Sequence, residues 1–260
     1  MSSSGNRTAL VTGSARRIGR EIALALARDG WDVAVHYATS RDDALSTVAQ
    51  IEALGRRAIA VNRDLAVEPG VESLLAECAD ELGPVSCVVN NASVFEYDNA
   101  ARFACDTLMR AMRTNVAAPV LLARSLHRQI GSGQTGVVIN LLDQKLANPN
   151  PDFLSYTLSK AALAEATTLL AIALAPKVRV IGIAPGLTLA STFQSDGGFA
   201  EAYRRTPLGR SSTPLDIAQA AVYLANADAV TGTVLMVDGG QHLIPSARDV
   251  MFDTEPSEQE

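Results

Sequence analysis

Residues 8–30 read TALVTGSARRIGREIALALARDG, and this stretch decides the fold. Thr8–Thr12 is a short apolar strand. The turn Gly13-Ser14-Ala15-Arg16-Arg17-Ile18-Gly19 follows, and then the helix-favouring run EIALALARDG with Gly30 placed as a stop. Strand, glycine turn and helix opening together make an anion site. Glycine admits close backbone approach, and the N–H groups at the helix start face the ligand. A glycine-rich turn alone is a weak signal, but this one has the flanking strand and helix that a dinucleotide phosphate site requires.

Working outward, Asp32–Tyr37 reads as a second strand, whose end meets the adenosine ribose in a dinucleotide fold. It ends in His36 and Tyr37, followed by Ser40 and Arg41, with no acid before Asp42. With Arg16 or Arg17 nearby, this favours a 2′-phosphate pocket and hence NADPH. The alternative is a polar loop with ordinary surface arginines. A third strand, Ala58–Val61, leads to Asp64 and Leu65, where Asp64 could accept from an adenine amino group. The buried run Val85–Val89 stops at Asn90-Asn91-Ala92-Ser93, small and amide residues that allow close cofactor approach. Phe95, just beyond, is either a loose hydrophobic anchor or an aromatic wall for a flat ligand.

The second decisive stretch is Val137–Lys160, VVINLLDQKLANPNPDFLSYTLSK. An apolar run breaks over Asn148-Pro149-Asn150-Pro151 and a helix then presents Tyr156 and Lys160 on one face, roughly 6 Å apart along its axis. A lysine beside a phenol is expected to favour the phenolate and lower its pKa from about 10. Asp143 could return to the same cleft. On its own the YxxxK pair is weak, since most such pairs are an exposed tyrosine beside a solvated lysine. Asn115 is a poor helix former within a long helical region from 101 to 128, which suggests a buried polar role. A sixth strand, Val178–Ala184, ends in Pro185-Gly186-Leu187-Thr188; 190–210 reads as a mobile lid, and Thr213-Pro214 opens a helix. Val234–Val237 is the last strand.

Seven strands alternating with helical crossovers predict an α/β fold: one Rossmann-type, doubly wound parallel sheet with helices on both faces. Residues 1–245 read as a single dinucleotide-binding and catalytic domain, and 246–260 as an acidic, poorly ordered tail. With 260 residues, 48% of them hydrophobic, the chain can bury a large core. The formal net charge of −6 with no basic block disfavours a nucleic-acid partner or an anionic membrane surface. No apolar run approaches the ~20 residues of a membrane span. Residues 1–7 lack a signal-peptide core, and three cysteines without metal-ligand spacing read as reduced thiols, so a cytoplasmic location is expected.

With TGxxxxIG, NNA, Asn115, YxxxK and PG in this order, residues 8–240 resemble the short-chain dehydrogenase/reductase family. The resemblance implies that Tyr156 donates a proton and that Lys160 holds the cofactor ribose and lowers the phenol pKa. Asn115 would support a water relay, and Gly13, Arg16, Ile18, Gly19, His36, Asp64, Leu65, Pro185, Gly186 and Thr188 would lie along the cofactor. Three positions depart from the common pattern: Asp143 in place of serine, Arg17 in place of glycine, and Asn91-Ala92-Ser93 in place of NAG. Together with His36, Tyr37 and Ser40 they look like the pteridine reductase branch. There the aspartate takes the serine's place, the arginine lies near phosphates and pterin, Ser93 meets ligand or cofactor, and Phe95 stacks on the ring. The implied activity is NADPH-dependent reduction of a pterin or dihydropterin, with dihydrofolate and dihydromonapterin in range. The competing readings are a carbonyl reductase, such as a 3-oxoacyl reductase, and a non-catalytic cofactor-binding protein. Against the first, a carboxylate at 143 would repel the developing alkoxide that a serine would stabilise. The apolar run Ala161–Ala175 and the family habit of pairing this helix imply a homotetramer.

Overall fold

The apolar runs become strands because β-branched residues pack well on a pleated surface, and here helices cover both faces of it. The computed structural model describes residues 7–190 and 196–253. The chain runs β1 (Arg7–Val11), α1 (Arg17–Arg28), β2 (Trp31–Tyr37), α2 (Arg41–Ala53), β3 (Ala58–Asn62), α3 (Glu68–Leu82) and β4 (Val85–Asn90). Helix α4 (Cys105–Met112) passes through a π turn (Arg113–Ala117) into α5 (Ala118–Gln129), before β5 (Gly136–Leu141) and α6 (Leu154–Leu174). Then come β6 (Val178–Pro185), α7 (Asp196–Arg204), α8 (Pro214–Asn226), β7 (Val234–Val237) and a short α9 (Val250–Asp253).

The seven strands are parallel, in the order β3-β2-β1-β4-β5-β6-β7, which is the doubly wound arrangement expected. On one face Ile22, Leu26, Ile217 and Leu224 of α1 and α8 meet Val11, Val33 and Ile139. On the other, Leu74 of α3 and Leu122 and Leu126 of α5 meet Leu10, Val88 and Val138. Each such fully buried side chain contributes about 1.5–3 kcal/mol. Strand order reverses between β1 and β4, so their carboxyl ends flank the crevice where ligands bind in open α/β sheets.

Three expectations change. The segment from Ser246 is a packed strap rather than a loose tail, at least as far as α9. Arg248 grips Asp152 with two hydrogen bonds of 2.8 and 2.9 Å, and the Asp249 N–H donates to the same carboxylate at 2.8 Å. Phe252 packs parallel to Phe153, ring centres 6.0 Å apart. Three of the five acidic residues that suggested a tail fall in 254–260, which lie outside the described residues, whereas 246–253 carries Arg248, Val250, Met251 and Phe252 beside Asp249 and Asp253. In the expected lid, residues 191–195 also lie outside the described residues, and the stretch that follows is helix α7, packed against α9. Finally, α6 is long and apolar enough, by length and composition alone, to cross a membrane, correcting the expectation that no stretch approaches a span. Here it covers the sheet, turning Ser159, Lys160, Leu163 and Thr167 inward while Leu158, Leu169 and Ile172 stay exposed.

Candidate active site

The glycine turn after β1 is held by packing as much as by its own geometry. Gly13 has φ +62°, and a Cβ there would lie 3.0 Å from the Ala92 backbone. At Gly19 a Cβ would come within 2.4 Å of the Gly13 carbonyl oxygen and 2.5 Å of Asn91 Nδ2. Asn91 ties the end of β4 to this turn, its amide donating to the Thr12 and Gly13 carbonyls at 2.9 and 3.0 Å. Beside the turn lies an open cavity of about 380 Å³, lined by Gly13, Arg16, Arg17, Ile18, Gly19, Tyr37, Ser40, Asn91, Ala92 and Ser93, with Ala38 and Thr39. Among the described residues no acid lines it, and none lies in the first turn of α1. Arg17 adopts φ +56°, a conformation uncommon for a side chain of its size, and donates to the Ala190 carbonyl at 3.2 Å. The family's usual glycine would take this backbone without strain.

His36 is not in this cavity. It is 2% exposed, accepts from the Gly13 N–H through Nδ1 at 3.0 Å, and its Nε2 sits 3.0 Å from the Arg63 carbonyl. That pairing assigns the proton to Nε2 and makes His36 a neutral brace for the glycine turn rather than a cation for phosphate. Burial pushes its pKa down from 6.5 to about 4. A histidine with a depressed folded pKa contributes stability present above its unfolded value and lost as pH falls toward the folded one. We expect stability to drop by on the order of 3 kcal/mol from this residue between pH 6.5 and 4. Urea melts at the two pH values should show this, and His36→Asn should remove most of the slope. An unchanged slope would assign it elsewhere. Asp64 is exposed and accepts from the Ala66 N–H at 2.9 Å, Leu65 is buried, and neither lines the two cavities.

A second cavity, of about 290 Å³, shares Arg17, Ile18, Asn91 and Ser93 with the first. Its wall brings together Phe95, Asp143, Tyr156, Lys160, Pro185, Gly186 and Thr188. The Tyr156 hydroxyl donates to Asp143 Oδ2 at 2.7 Å. Asp143 Oδ1 accepts the Lys145 N–H at 2.8 Å, capping the turn after β5. Burial raises the Asp143 pKa against the opposing effect of these two donors. Burial, then the Asp143 charge, holds the Tyr156 phenol well above 10. This corrects the expectation that Lys160 lowers it. Lys160 Nζ lies 5.7 Å from the phenol ring centre and donates to the Leu141 carbonyl at 2.6 Å, and burial lowers its own pKa to about 8. The carboxylate wins because it touches the hydroxyl and the ammonium does not.

Asn115 sits in the π turn, where the i→i+5 pattern frees backbone groups and re-aims side chains. Its Oδ1 accepts from Val94 N–H, while Nδ2 donates to the Val94 carbonyl and to Ser159 Oγ. It thereby clamps the loop after β4 to α6 one turn from Tyr156. The Thr188 hydroxyl donates to the Gly186 carbonyl at 2.8 Å and lies 2.8 Å from Ser212 Oγ. Phe95 is 40% exposed, stacks on Phe153 at 4.3 Å and meets Tyr156 edge-on at 4.7 Å, so it is both a packed anchor and an open wall. Sequence reasoning missed Phe153, Gln144, Gln241, Asp249 and Val250, the last four of which line the cavity. Phe153, three residues before Tyr156, was legible as an aromatic at a helix start, whereas Asp249 carried no signal.

The chain is similar to known proteins in sequence and in structure. A family model described as enoyl-(acyl carrier protein) reductase matches residues 13–242. The L-rhamnose 1-dehydrogenase (NAD(P)(+)) of Sphingomonas sp. is 33% identical, over 91% of this chain and 96% of its own. The 3-oxoacyl-[acyl-carrier-protein] reductase FabG of Staphylococcus epidermidis is 31% identical, over 92% of this chain and 100% of its own. FolM alternative dihydrofolate reductase 1 from Brucella canis, solved in complex with NADP, superposes with a TM-score of 0.86 at 37% identity, over 92% of this chain and 95% of its own.

Proposed function

The chain belongs to the short-chain dehydrogenase/reductase family, and from that premise we propose that it is an NADPH-dependent reductase of pterins or dihydropterins. One observation carries the reading: a half-buried carboxylate, Asp143, accepts from Tyr156 at 2.7 Å in a cavity walled by Phe95 and Arg17. A carbonyl reductase needs donors where negative charge develops on oxygen, and a carboxylate there works against it. Reduction of a ring C=N bond instead calls for a proton at nitrogen. A flat heterocycle edged with N–H groups also needs a stacking face and hydrogen-bond acceptors in one pocket. The 37% identity to a dihydrofolate reductase of the same fold supports the reading.

The residues at the β1 turn fit a phosphorylated dinucleotide. Arg16, Arg17 and Ser40 surround a cavity with no carboxylate among the described residues of its wall, as suits a 2′-phosphate, and Lys160 with Asn91 and Gly186 would hold the remainder. NADPH, when bound, supplies the hydride. The protein's own task is the proton. Tyr156 and Asp143 hold it between them, Asn115 and Ser159 fix the helix that carries Tyr156, and Phe95 orients the ring.

Oxidation of NADPH followed across dihydrobiopterin, dihydrofolate and 3-oxoacyl thioesters tests the proposal. Turnover should favour the dihydropterin, and NADPH should exceed NADH in kcat/KM by about tenfold or more, the worth of one charge-assisted hydrogen bond. Brisk thioester reduction with inert dihydropterins would hand the function to the 3-oxoacyl reductase reading. Equal efficiency with the two cofactors would remove the 2′-phosphate pocket.

A further inference from the structure

Asp249 and Val250 are among the residues of the substrate cavity that no family motif announces. The same two residues line a neighbouring cavity of about 270 Å³ with Arg205, Asn148 and Arg248, so the strap forms the partition between the two. Its placement is built from several directions. Asp152 takes both the Arg248 guanidinium and the Asp249 N–H. Lys145, itself 3% exposed, reaches from the turn after Asp143 to donate to the Asp152 carbonyl at 2.6 Å and to Asp249 Oδ2 at 3.2 Å. Asp152 directly precedes Phe153, which has φ +54° and begins the helix that carries Tyr156. A left-handed bulky residue is costly and persists only where its surroundings hold it. The strap, through Asp152 and the Phe252 ring, is part of what holds it.

We propose that Asp249 is a specificity-determining residue: the strap delivers its carboxylate to the substrate cavity, where it accepts from N–H groups of an amino-substituted heterocycle and repels substrates with an anionic edge. The inference rests on the pterin reading of this site and names the feature of the ring that the pocket selects. Asp249 lines the same cavity as Asp143 and Tyr156, which places two carboxylates on one substrate wall. An uncharged ring bearing several N–H donors satisfies both; a carboxylate or phosphate satisfies neither.

The test uses the full chain with NADPH and dihydrobiopterin. Asp249→Asn, which keeps the shape but turns an acceptor into a donor, should raise KM about ten- to hundredfold, as expected for losing a charge-assisted hydrogen bond. The loss should fall on KM more than on kcat, and Asp249→Glu should recover part of it. Arg248→Ala, which leaves the carboxylate but loosens the strap, should also raise KM. Melting temperature and NADPH titration by fluorescence establish that each variant is folded. A KM for Asp249→Asn within about twofold of the parent, or a fall confined to kcat, overturns the assignment. A parent protein inert toward dihydrobiopterin sinks the pterin reading itself, and this inference with it, before any variant is compared.

Discussion

Replacing Asp143 with asparagine is expected to lower dihydropterin turnover by about 10²- to 10⁴-fold, the usual worth of a positioned acid or base, while leaving the protein at least as stable at neutral pH. Asparagine can still accept from the Tyr156 hydroxyl, so the geometry survives and only the ionisable group is lost. The stability half follows from the sign of the shift. An aspartate whose folded pKa is raised contributes stability that is full below its unfolded value near 3.9 and is lost as pH rises through the folded value. In the Asp143→Asn variant that loss disappears, so parent and variant should diverge in the variant's favour as pH climbs from about 4 toward neutrality. The parent's rate should fall on the alkaline side, as the Asp143–Tyr156 pair gives up the proton it holds; the two titrate as a unit, so the limb belongs to the pair. Urea melts and pH–rate profiles on both proteins check these points. An Asp143→Asn variant that turns over dihydropterin at the parent's rate would remove Asp143 from the chemistry.

The fold was legible because its signals are local and repeated. Each strand is a short β-branched run, and the glycine turn at residues 13–19 already sets the strand–turn–helix unit that a parallel sheet repeats. The Tyr156 and Lys160 pair was legible as a spacing but not as an electrostatic balance. Helical geometry places both on one face, yet it says nothing of how closely Asp143 returns from the end of β5, and a 2.7 Å contact outweighs an ammonium several ångströms off. His36 shows the same limit. Its place at the end of β2 is plain in the sequence, but its two ring nitrogens are taken by Gly13 and Arg63, and that pairing depends on where β3 ends. The strap was the least legible part. Its residues show no periodicity, and what orders them is a bidentate contact between Arg248 and Asp152, ninety-six positions apart in sequence. Long-range ion pairs leave no pattern within a window of ten or twenty residues.

Tyr156→Phe should lower turnover about as far as Asp143→Asn, again by 10²- to 10⁴-fold, with NADPH binding nearly intact because only the phenolic oxygen goes. Its effect on stability should have the opposite sign. Losing the hydroxyl leaves the half-buried Asp143 carboxylate with the Lys145 N–H and without its side-chain donor, a loss of about 1–3 kcal/mol where Asp143 is ionised. That donor was lowering the Asp143 pKa, so its removal raises it further, and the destabilisation should shrink as pH falls and the acid protonates. The double variant, Tyr156→Phe with Asp143→Asn, separates the two roles. If tyrosine and aspartate hold one proton together, the double variant is no slower than either single variant by more than a few fold, since groups acting as a unit are not additive. It should also recover the stability lost in Tyr156→Phe, because the orphaned charge is gone. Rates that multiply, each substitution adding its full loss to the other, would mean that the two groups act on separate steps. Substantial turnover in Tyr156→Phe alone would mean that the proton reaches the ring by another route, with water beside Arg17 the first place to look.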